Sequence, residues 1–283
     1  MVLVHGRPPR QKQKSSNALH WPTHRSRARK ADASPHNAGV STSDPFPAAA
    51  TTLADGSTRR YRIWRTPGVP ATQALPVLLF LHGSGERGDD NAAQIAVGLG
   101  LALSRQAPPW PLLAVFPQLR ADALWADAEA EAALQVLAAA CAQFGGDATR
   151  VALTGLSRGG YGVWELALSA PTRFRALLPV CGGIEPPAHD AALRVTALQN
   201  ERDPFATAAQ ALRHLPCWIV HGARDTVISP QQSRAMAAAL CSVGAAELHY
   251  RELAAANHNA WDAAYADAML WRWLGHQLDA LPA

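Results

Sequence analysis

The stretch that decides the fold is VALTGLSRGGYGVW, residues 151 to 164. It begins as a short apolar run, passes through the pentapeptide GLSRG (155 to 159), and continues as an apolar segment of helical length. A Gly-x-Ser-x-Gly pattern alone occurs by chance in about one chain of this length in ten. Its place between a strand and a helix is more specific, because a sharp strand-to-helix turn presents the serine hydroxyl at the edge of a sheet. We therefore predict a nucleophile at Ser157.

Apolar strands and helices alternate on both sides of this stretch. The sequence predicts strands over 59–64 (an edge strand), 75–85 (a strand that runs into a loop), 111–118, 150–156, 174–183, 216–223 and 246–253, and helices over 127–146, 158–169, 229–244 and 261–278. Continuous apolar strands that are separated by helices are typical of a parallel sheet with both faces covered. The fold class expected is α/β, with a mostly parallel twisted sheet and helices on both faces.

The first 50 residues differ in composition from the rest of the chain. They contain eight Lys or Arg against two Asp and carry a net charge of +6, which leaves the remainder at −2 out of a total of +4. This segment has neither strand nor helix periodicity and too little apolar surface to offset its ordering entropy. We predict a disordered basic tail over 1–50 and a single domain over 51–283.

The composition favours a soluble globular protein, with 48% hydrophobic and 17% charged residues. No apolar run approaches the roughly 18 residues that a membrane-spanning helix needs, so no membrane partner is expected. The tail lacks aromatic interleaving and an amphipathic helix, so no nucleic-acid partner is expected either. No signal-peptide pattern is present, and the four cysteines have neither metal-ligand spacing nor a Cys-x-x-Cys pair. These features predict buried free thiols and a cytoplasmic location.

A serine nucleophile needs a base and an acid further along the chain. The imidazole that takes the serine proton must itself be oriented by a carboxylate, in the chain order serine, acid, histidine. Asp225 follows the apolar run CWIVHGA by one tight turn, and His258 lies between the last strand and the last helix. A solvated loop aspartate is the alternative for Asp225, and Asp203 is a rival acid. His221 is better interpreted as a histidine that orients the loop.

Two further segments are expected near the serine. The developing oxyanion needs backbone donors, and the N–H of Arg158 and that of Ser84, in the loop LHGSGERGDDN, are the candidates. We interpret residues 89 to 91 of that loop as turn and helix-capping residues. Residues 184–215 do not fit the strand and helix rhythm and are a possible lid insertion over the edge where open α/β sheets bind ligands.

Five motifs in fixed order carry a family resemblance. They are FLHGSGERGDDN (80–91), GLSRGGYGVW (155–164), VCGG (180–183), WIVHGARDTVIS (218–229) and NHNAWDAAY (257–265). The chain resembles the α/β-hydrolase carboxylesterases of the phospholipase/carboxylesterase and dienelactone-hydrolase-like group, close to the predicted-peptidase and polyhydroxybutyrate-depolymerase-like esterases. In those relatives the residue after the nucleophile is usually Met, whereas here it is Arg158.

The resemblance implies the α/β-hydrolase fold and a serine esterase. It implies Ser157 as nucleophile, Asp225 as acid and His258 as base, with Ser84 and Arg158 supplying backbone donors to the oxyanion. No cofactor and no metal are implied, and the expected partner is a small-molecule ester. Two alternatives remain open: a peptide or amide hydrolase that uses the same triad, and a non-catalytic binding protein on this fold.

Overall fold

The computed structural model describes residues 44 to 281, whose strands form one eight-stranded sheet. The strands are β1 (Ala48–Thr52), β2 (Thr58–Arg65), β3 (Leu75–Leu81), β4 (Leu113–Pro117), β5 (Gly146–Leu156), β6 (Ala176–Val180), β7 (Cys217–Gly222) and β8 (Leu248–Leu253). Their order in the sheet is β1-β2-β4-β3-β5-β6-β7-β8. The pairs β1 with β2 and β2 with β4 are antiparallel, and all other pairs are parallel. The predicted mostly parallel sheet is confirmed.

Helices cover both faces of this sheet. They are α1 (Gly98–Arg105), α2 (Asp127–Phe144), α3 (Arg158–Ser169), α4 (Pro204–Leu212), α5 (Gln231–Ser242), α6 (Trp261–Tyr265) and α7 (Ala268–Gln277). One buried apolar cluster includes side chains of α2 to α5, and a second includes side chains of α1, α6 and α7. Strands β3, β4, β6 and β7 are buried along their whole length, which is why their sequences are continuously apolar. Within the described residues, no helix combines the length and the hydropathy that crossing a bilayer requires.

The amino-terminal edge of the sheet corrects two predictions. The edge strand is β1, so β2 lies second from the edge, and residues 48 to 50, assigned to the tail, belong to a strand. The sequence AAATT has no large apolar side chains, and β1 is held mainly by main-chain pairing with β2. Arg62 anchors the segment just before β1, since its Nη1 donates to Phe46 O at 2.6 Å. Residues 1 to 43 of the predicted tail lie outside the described residues.

The segment predicted as a lid, 184–215, divides into two parts. Its second part contains α4, which packs against α3 and α5 as the crossover helix between β6 and β7. The buried side chains of α4 belong to the main apolar cluster, so this half is a layer of the fold. Its first part lies beside α3, where the Tyr161 hydroxyl donates to Glu185 O at 2.9 Å and Glu165 accepts from Thr196 N at 2.6 Å. Only this first part borders the candidate site.

Two smaller differences concern the last helix and the cysteines. The helix predicted over 261–278 is broken into α6 and α7, because the Asp267 carboxylate accepts from Met269 N at 2.9 Å and starts a new helix. Helix α1 was not predicted. Of the four free thiols, Cys241 is exposed, whereas the other three are buried as expected.

Candidate active site

Three of the predicted site residues follow three strands of the parallel part of the sheet. Ser157 comes directly after β5, Asp225 lies three residues after β7, and His258 lies five residues after β8. These strands belong to the contiguous set β5-β6-β7-β8. Since the carboxyl ends of parallel strands meet at one edge, residues far apart in the sequence converge there.

The turn that carries Ser157 has a strained backbone. Ser157 has φ 54° and ψ −119°, a conformation that costs a non-glycine residue on the order of 1–3 kcal/mol. A Cβ on Gly155 would lie 2.4 Å from Gly159 O, and a Cβ on Gly159 would lie 1.9 Å from Leu81 O. Both positions therefore require glycine. The turn is also held by the Ser157 N–H, which donates to Val180 O at 2.9 Å.

Ser157, His258 and Asp225 form a continuous hydrogen-bonded chain. His258 Nε2 lies 2.9 Å from Ser157 Oγ, and His258 Nδ1 lies 2.7 Å from Asp225 Oδ2. A carboxylate only accepts hydrogen bonds, so Nδ1 carries the ring proton and Nε2 is left to accept from the serine hydroxyl. The arrangement can remove the hydroxyl proton as the oxygen attacks.

Asp225 is held as a buried carboxylate. Its Oδ1 accepts from Val227 N at 2.8 Å and from Ile228 N at 3.0 Å. Burial raises the pKa of this carboxyl, but hydrogen bonds from His221 and His258 outweigh burial and hold the pKa far below its ordinary value. Asp225 is therefore an anion at neutral pH and stabilises a positive charge on the His258 ring.

His221 contacts the same oxygen of Asp225 as His258 does. It is fully buried, and its Nε2 lies 3.2 Å from Asp225 Oδ2 and 3.0 Å from Ile228 O. Its Nδ1 lies 2.7 Å from Ser233 Oγ. These contacts agree with the interpretation of His221 as a histidine that orients the loop.

The predicted oxyanion loop follows β3. Gly83 lies against the nucleophile, since a Cβ on Gly83 would lie 3.6 Å from Ser157 Cβ, and its N–H donates to Glu86 Oε2 at 2.9 Å. His82 anchors the loop by accepting from Leu119 N at 2.9 Å, and burial lowers its pKa to about 4. Within residues 44–281, the backbone N–H groups of Ser84 and Arg158 have no backbone acceptor. Their role as oxyanion donors stays a prediction.

The side chain of Arg158 makes contacts that the sequence did not predict. Its Nε donates to Ser84 Oγ at 2.9 Å, and its Nη2 donates to Asp190 Oδ2 at 2.8 Å. Asp190 belongs to the segment 184–215, and it follows no apolar strand that would place it at the sheet edge. The sequence therefore held no signal for this ion pair.

Trp261 and Cys181 border the triad, and Trp125 packs against the predicted oxyanion loop. Trp125 Nε1 donates to His82 O at 3.0 Å, and the Trp261 ring packs edge-on against His258 at a centroid distance of 5.4 Å. Cys181, Asp225 and His258 each place one potential metal ligand within 4.8 Å of the others. However, burial raises the pKa of the Cys181 thiol to about 12, and a protonated thiol is a poor metal ligand. The absence of a metal stays a prediction.

Other candidates have roles in the fold. Asp203, the rival acid, caps α4 by accepting from Ala206 N at 3.0 Å. His249 stacks on Trp218 at a centroid distance of 4.5 Å. Asp90 accepts from Ala92 N at 2.8 Å and has the predicted capping role.

The carboxyl-terminal part of the chain matches a known protein family. The model of the prolyl oligopeptidase family (Peptidase_S9) matches residues 118–280, a span that includes Ser157, Asp225 and His258. "Putative esterase NocK" of Nocardia uniformis subsp. tsuyamanensis is 30% identical over 175 residues, which cover 57% of this chain and 50% of NocK. The chain therefore spans about half the length of this curated relative.

Solved structures with the same fold include esterases and a peptidase. A thermostable esterase superposes with a TM-score of 0.65 at 22% identity, over 82% of this chain and 63% of the esterase. A ferulic acid esterase superposes with a TM-score of 0.64 at 15% identity, over 83% of this chain and 97% of that one. An acylaminoacyl peptidase of Pyrococcus horikoshii gives 0.58 at 16% identity, over 83% and 40%. These matches confirm the predicted α/β-hydrolase fold.

Proposed function

We propose that this chain, which belongs to the prolyl oligopeptidase family, is a serine hydrolase that cleaves carboxylic esters of small molecules through an acyl-enzyme. The observation that carries the proposal is the hydrogen-bonded chain from Ser157 Oγ through His258 to Asp225, with distances of 2.9 Å and 2.7 Å. The esterase names of NocK and of two structural neighbours support an ester as the substrate.

The residues of the site act one after another in this mechanism, and His258 acts in both of its halves. Ser157 Oγ attacks the ester carbonyl while His258 Nε2 takes its proton, and Asp225 stabilises the imidazolium. The N–H groups of Ser84 and Arg158 stabilise the oxyanion. The imidazolium then gives its proton to the departing alkoxide, and the alcohol leaves. A water molecule, deprotonated by the same ring, attacks the acyl-enzyme, and the acid leaves as Ser157 regains its proton.

A peptide or amide hydrolase is the second candidate. The family name and the acylaminoacyl peptidase among the structural neighbours favour it, because the same imidazolium can protonate an amine leaving group. An ester and an anilide of the same acyl group separate the two functions. For an esterase, we expect the ratio of kcat/KM for the ester to kcat/KM for the anilide to exceed the ratio of their uncatalysed hydrolysis rates. Equal or faster cleavage of the anilide would favour the peptidase.

The variant Ser157→Ala tests the mechanism. We expect turnover of p-nitrophenyl butyrate to fall by at least about 10⁴-fold, and labelling by a fluorophosphonate probe to disappear, because the attacking oxygen is gone. Ser169→Ala, in an exposed position at the end of α3, is the matched control and should keep both. Substantial turnover in a folded Ser157→Ala protein would refute the assignment.

A further inference from the structure

We propose that the guanidinium groups of Arg158 and Arg87 form an anion subsite beside Ser157, and that the preferred substrates are esters that carry a carboxylate close to the scissile carbonyl. This inference rests on the proposed ester hydrolysis and names its substrate class. It starts from Arg158, the charged residue of the serine motif, whose side chain the proposed mechanism does not use.

The Arg158 side chain is fixed with one edge of its guanidinium open. Ser84 Oγ accepts from Nε, and Asp190 Oδ2 accepts from Nη2. Nη1 has no hydrogen-bond partner within residues 44–281, yet it is not one of the buried polar atoms that lack a partner. It is therefore accessible to solvent. The Arg158 side chain is 6% exposed and Ser157 is 8% exposed, so the cation and the nucleophile are covered to a similar extent.

A second guanidinium, that of Arg87, also contacts Ser84. Arg87 Nε donates to Ser84 O at 3.1 Å, whereas Arg158 Nε donates to the hydroxyl of the same residue. Both cations therefore contact the predicted oxyanion residue. Burial lowers the pKa of Arg158, and the nearby positive charge of Arg87 lowers it further.

Two carboxylates lie near this positive charge. Asp190 pairs with Arg158 and is itself 28% exposed. Glu86 accepts from Gly83 N, and burial raises the pKa of its carboxyl. An anion placed against Nη1 of Arg158 would offset this positive charge, and the partial burial of the site strengthens such a contact.

The position of Arg158 limits where the substrate anion lies. Its backbone N–H is a predicted oxyanion donor, so a group bound by its side chain lies within one arginine length of the reacting carbonyl. The planar guanidinium favours planar oxyanions such as carboxylates. The charge can be on the acyl side or on the alcohol side of the ester, and the substrates below separate the two.

Two pairs of matched esters measure the charge preference. Monophenyl adipate against phenyl hexanoate places the carboxylate on the acyl side, and 3-acetoxybenzoate against phenyl acetate places it on the alcohol side. We expect kcat/KM of the wild-type protein to favour the anionic ester of one pair by roughly 10-fold or more, the ratio typical of a charge-assisted hydrogen bond.

Variants with opposite expected effects test the assignment to Arg158. Arg158→Met should lower the anionic-to-neutral ratio of kcat/KM to near one, and Arg87→Met should lower it less. Asp190→Asn should raise the ratio several-fold, because it removes the carboxylate that competes for Arg158. Arg272→Met, at an exposed position of α7, is the control and should leave the ratio unchanged. Ratios are compared only between proteins with the same thermal unfolding midpoint as the wild type.

The outcomes separate this inference from the proposed function. A wild-type protein that hydrolyses neutral esters through Ser157 but has a ratio near one in both pairs would overturn the anion subsite alone. An unchanged ratio in both Arg158→Met and Asp190→Asn would also overturn it. If no ester is cleaved and no fluorophosphonate label is bound, the proposed function itself fails. If Arg158→Met is unfolded, the rise expected in Asp190→Asn decides, since a merely structural ion pair would not produce it.

Discussion

The serine turn keeps its strained conformation because its flanking glycines let three backbone segments approach closely. Gly159 lies directly against the end of β3, where any side chain would meet Leu81 O. The positive φ of Ser157 is thus maintained by the packing of the surrounding main chain. A substitution here changes the position of the nucleophile as well as the stability of the fold.

We predict that Gly159→Ala destabilises the protein by about 3 kcal/mol or more, because its Cβ would overlap a backbone carbonyl that cannot move away. Chemical denaturation measures the change in the free energy of unfolding. Gly85→Ala is the matched control, since a Cβ on Gly85 meets nothing within 4 Å, and its stability should stay within about 0.5 kcal/mol of the wild type. Equal stabilities of the two variants would contradict the close approach.

The three triad residues could be predicted from the sequence, because their positions depend on where strands end. The partner of the Arg158 side chain could not be predicted. Ser157 and Asp225 follow strands that apolar runs reveal, and His258 follows a strand that an alternating pattern reveals. The structure brings these three residues together. The bond from Arg158 to Asp190 joins α3 to a segment without periodicity. Nothing in the sequence near either residue specifies that contact, because it depends on how the chain returns over the sheet edge.

Strand β5 begins in a hydrogen-bonded cluster around Asp147 and ends at the nucleophile Ser157. At the start, Asp147 accepts from the Thr149 hydroxyl at 2.7 Å and from Arg150 Nε at 2.7 Å. These bonds, the threonine hydroxyl first, lower the pKa of Asp147 from 3.8 to about 2. A carboxyl whose pKa is lower in the folded state stabilises the fold above its unfolded pKa and loses this effect as the pH falls.

We therefore predict that Asp147→Asn lowers the free energy of unfolding at pH 7 by about 1 kcal/mol, a value reduced for solvent screening. The difference from the wild type should shrink between pH 4 and pH 2 as Asp147 becomes protonated in the wild-type protein. Urea unfolding at several pH values measures it. Asp122→Asn, at an exposed position, is the control. A difference that stays constant from pH 7 to pH 2 would exclude an electrostatic origin.

Elements with strong apolar runs were predicted well, and elements held by other contacts were not. Strands β3, β4, β6 and β7 are buried along their whole length, and β5 is buried over residues 151–156, so their composition reveals them. Strand β1 depends on pairing with β2, and α4 appeared as part of an insertion although it packs on α3 and α5. Pairing and packing between elements are tertiary properties, and a local pattern does not report them.

At the scale of the whole molecule, the described residues, 44 to 281, belong to one contact unit. That unit contains every residue of the proposed mechanism and carries both apolar clusters. The net positive charge of the chain comes from residues 1–50. Folding and catalysis are therefore expected to depend on the unit alone.

We predict that a chain starting at Thr42 unfolds in a single transition. Because every residue of the proposed mechanism is kept, its kcat/KM for p-nitrophenyl butyrate should stay within about twofold of the full chain, which corresponds to a ΔΔG below about 0.4 kcal/mol. If the full chain is retained on DNA-cellulose at low salt, the shortened chain should elute earlier. Loss of esterase turnover in the soluble shortened protein would show that the first 41 residues contribute to the site.

The wide spacing of the three triad residues has a consequence for biosynthesis. Ser157 and His258 are separated by 101 positions and by three strands that must first be laid side by side. If the proposed mechanism holds, we expect a nascent polypeptide to lack hydrolase activity until His258 has left the ribosome and β8 has joined the sheet. Recovery of ester hydrolysis after refolding would accordingly report that strands β5 to β8 have assembled, and a chain truncated before β8 is expected to be inactive.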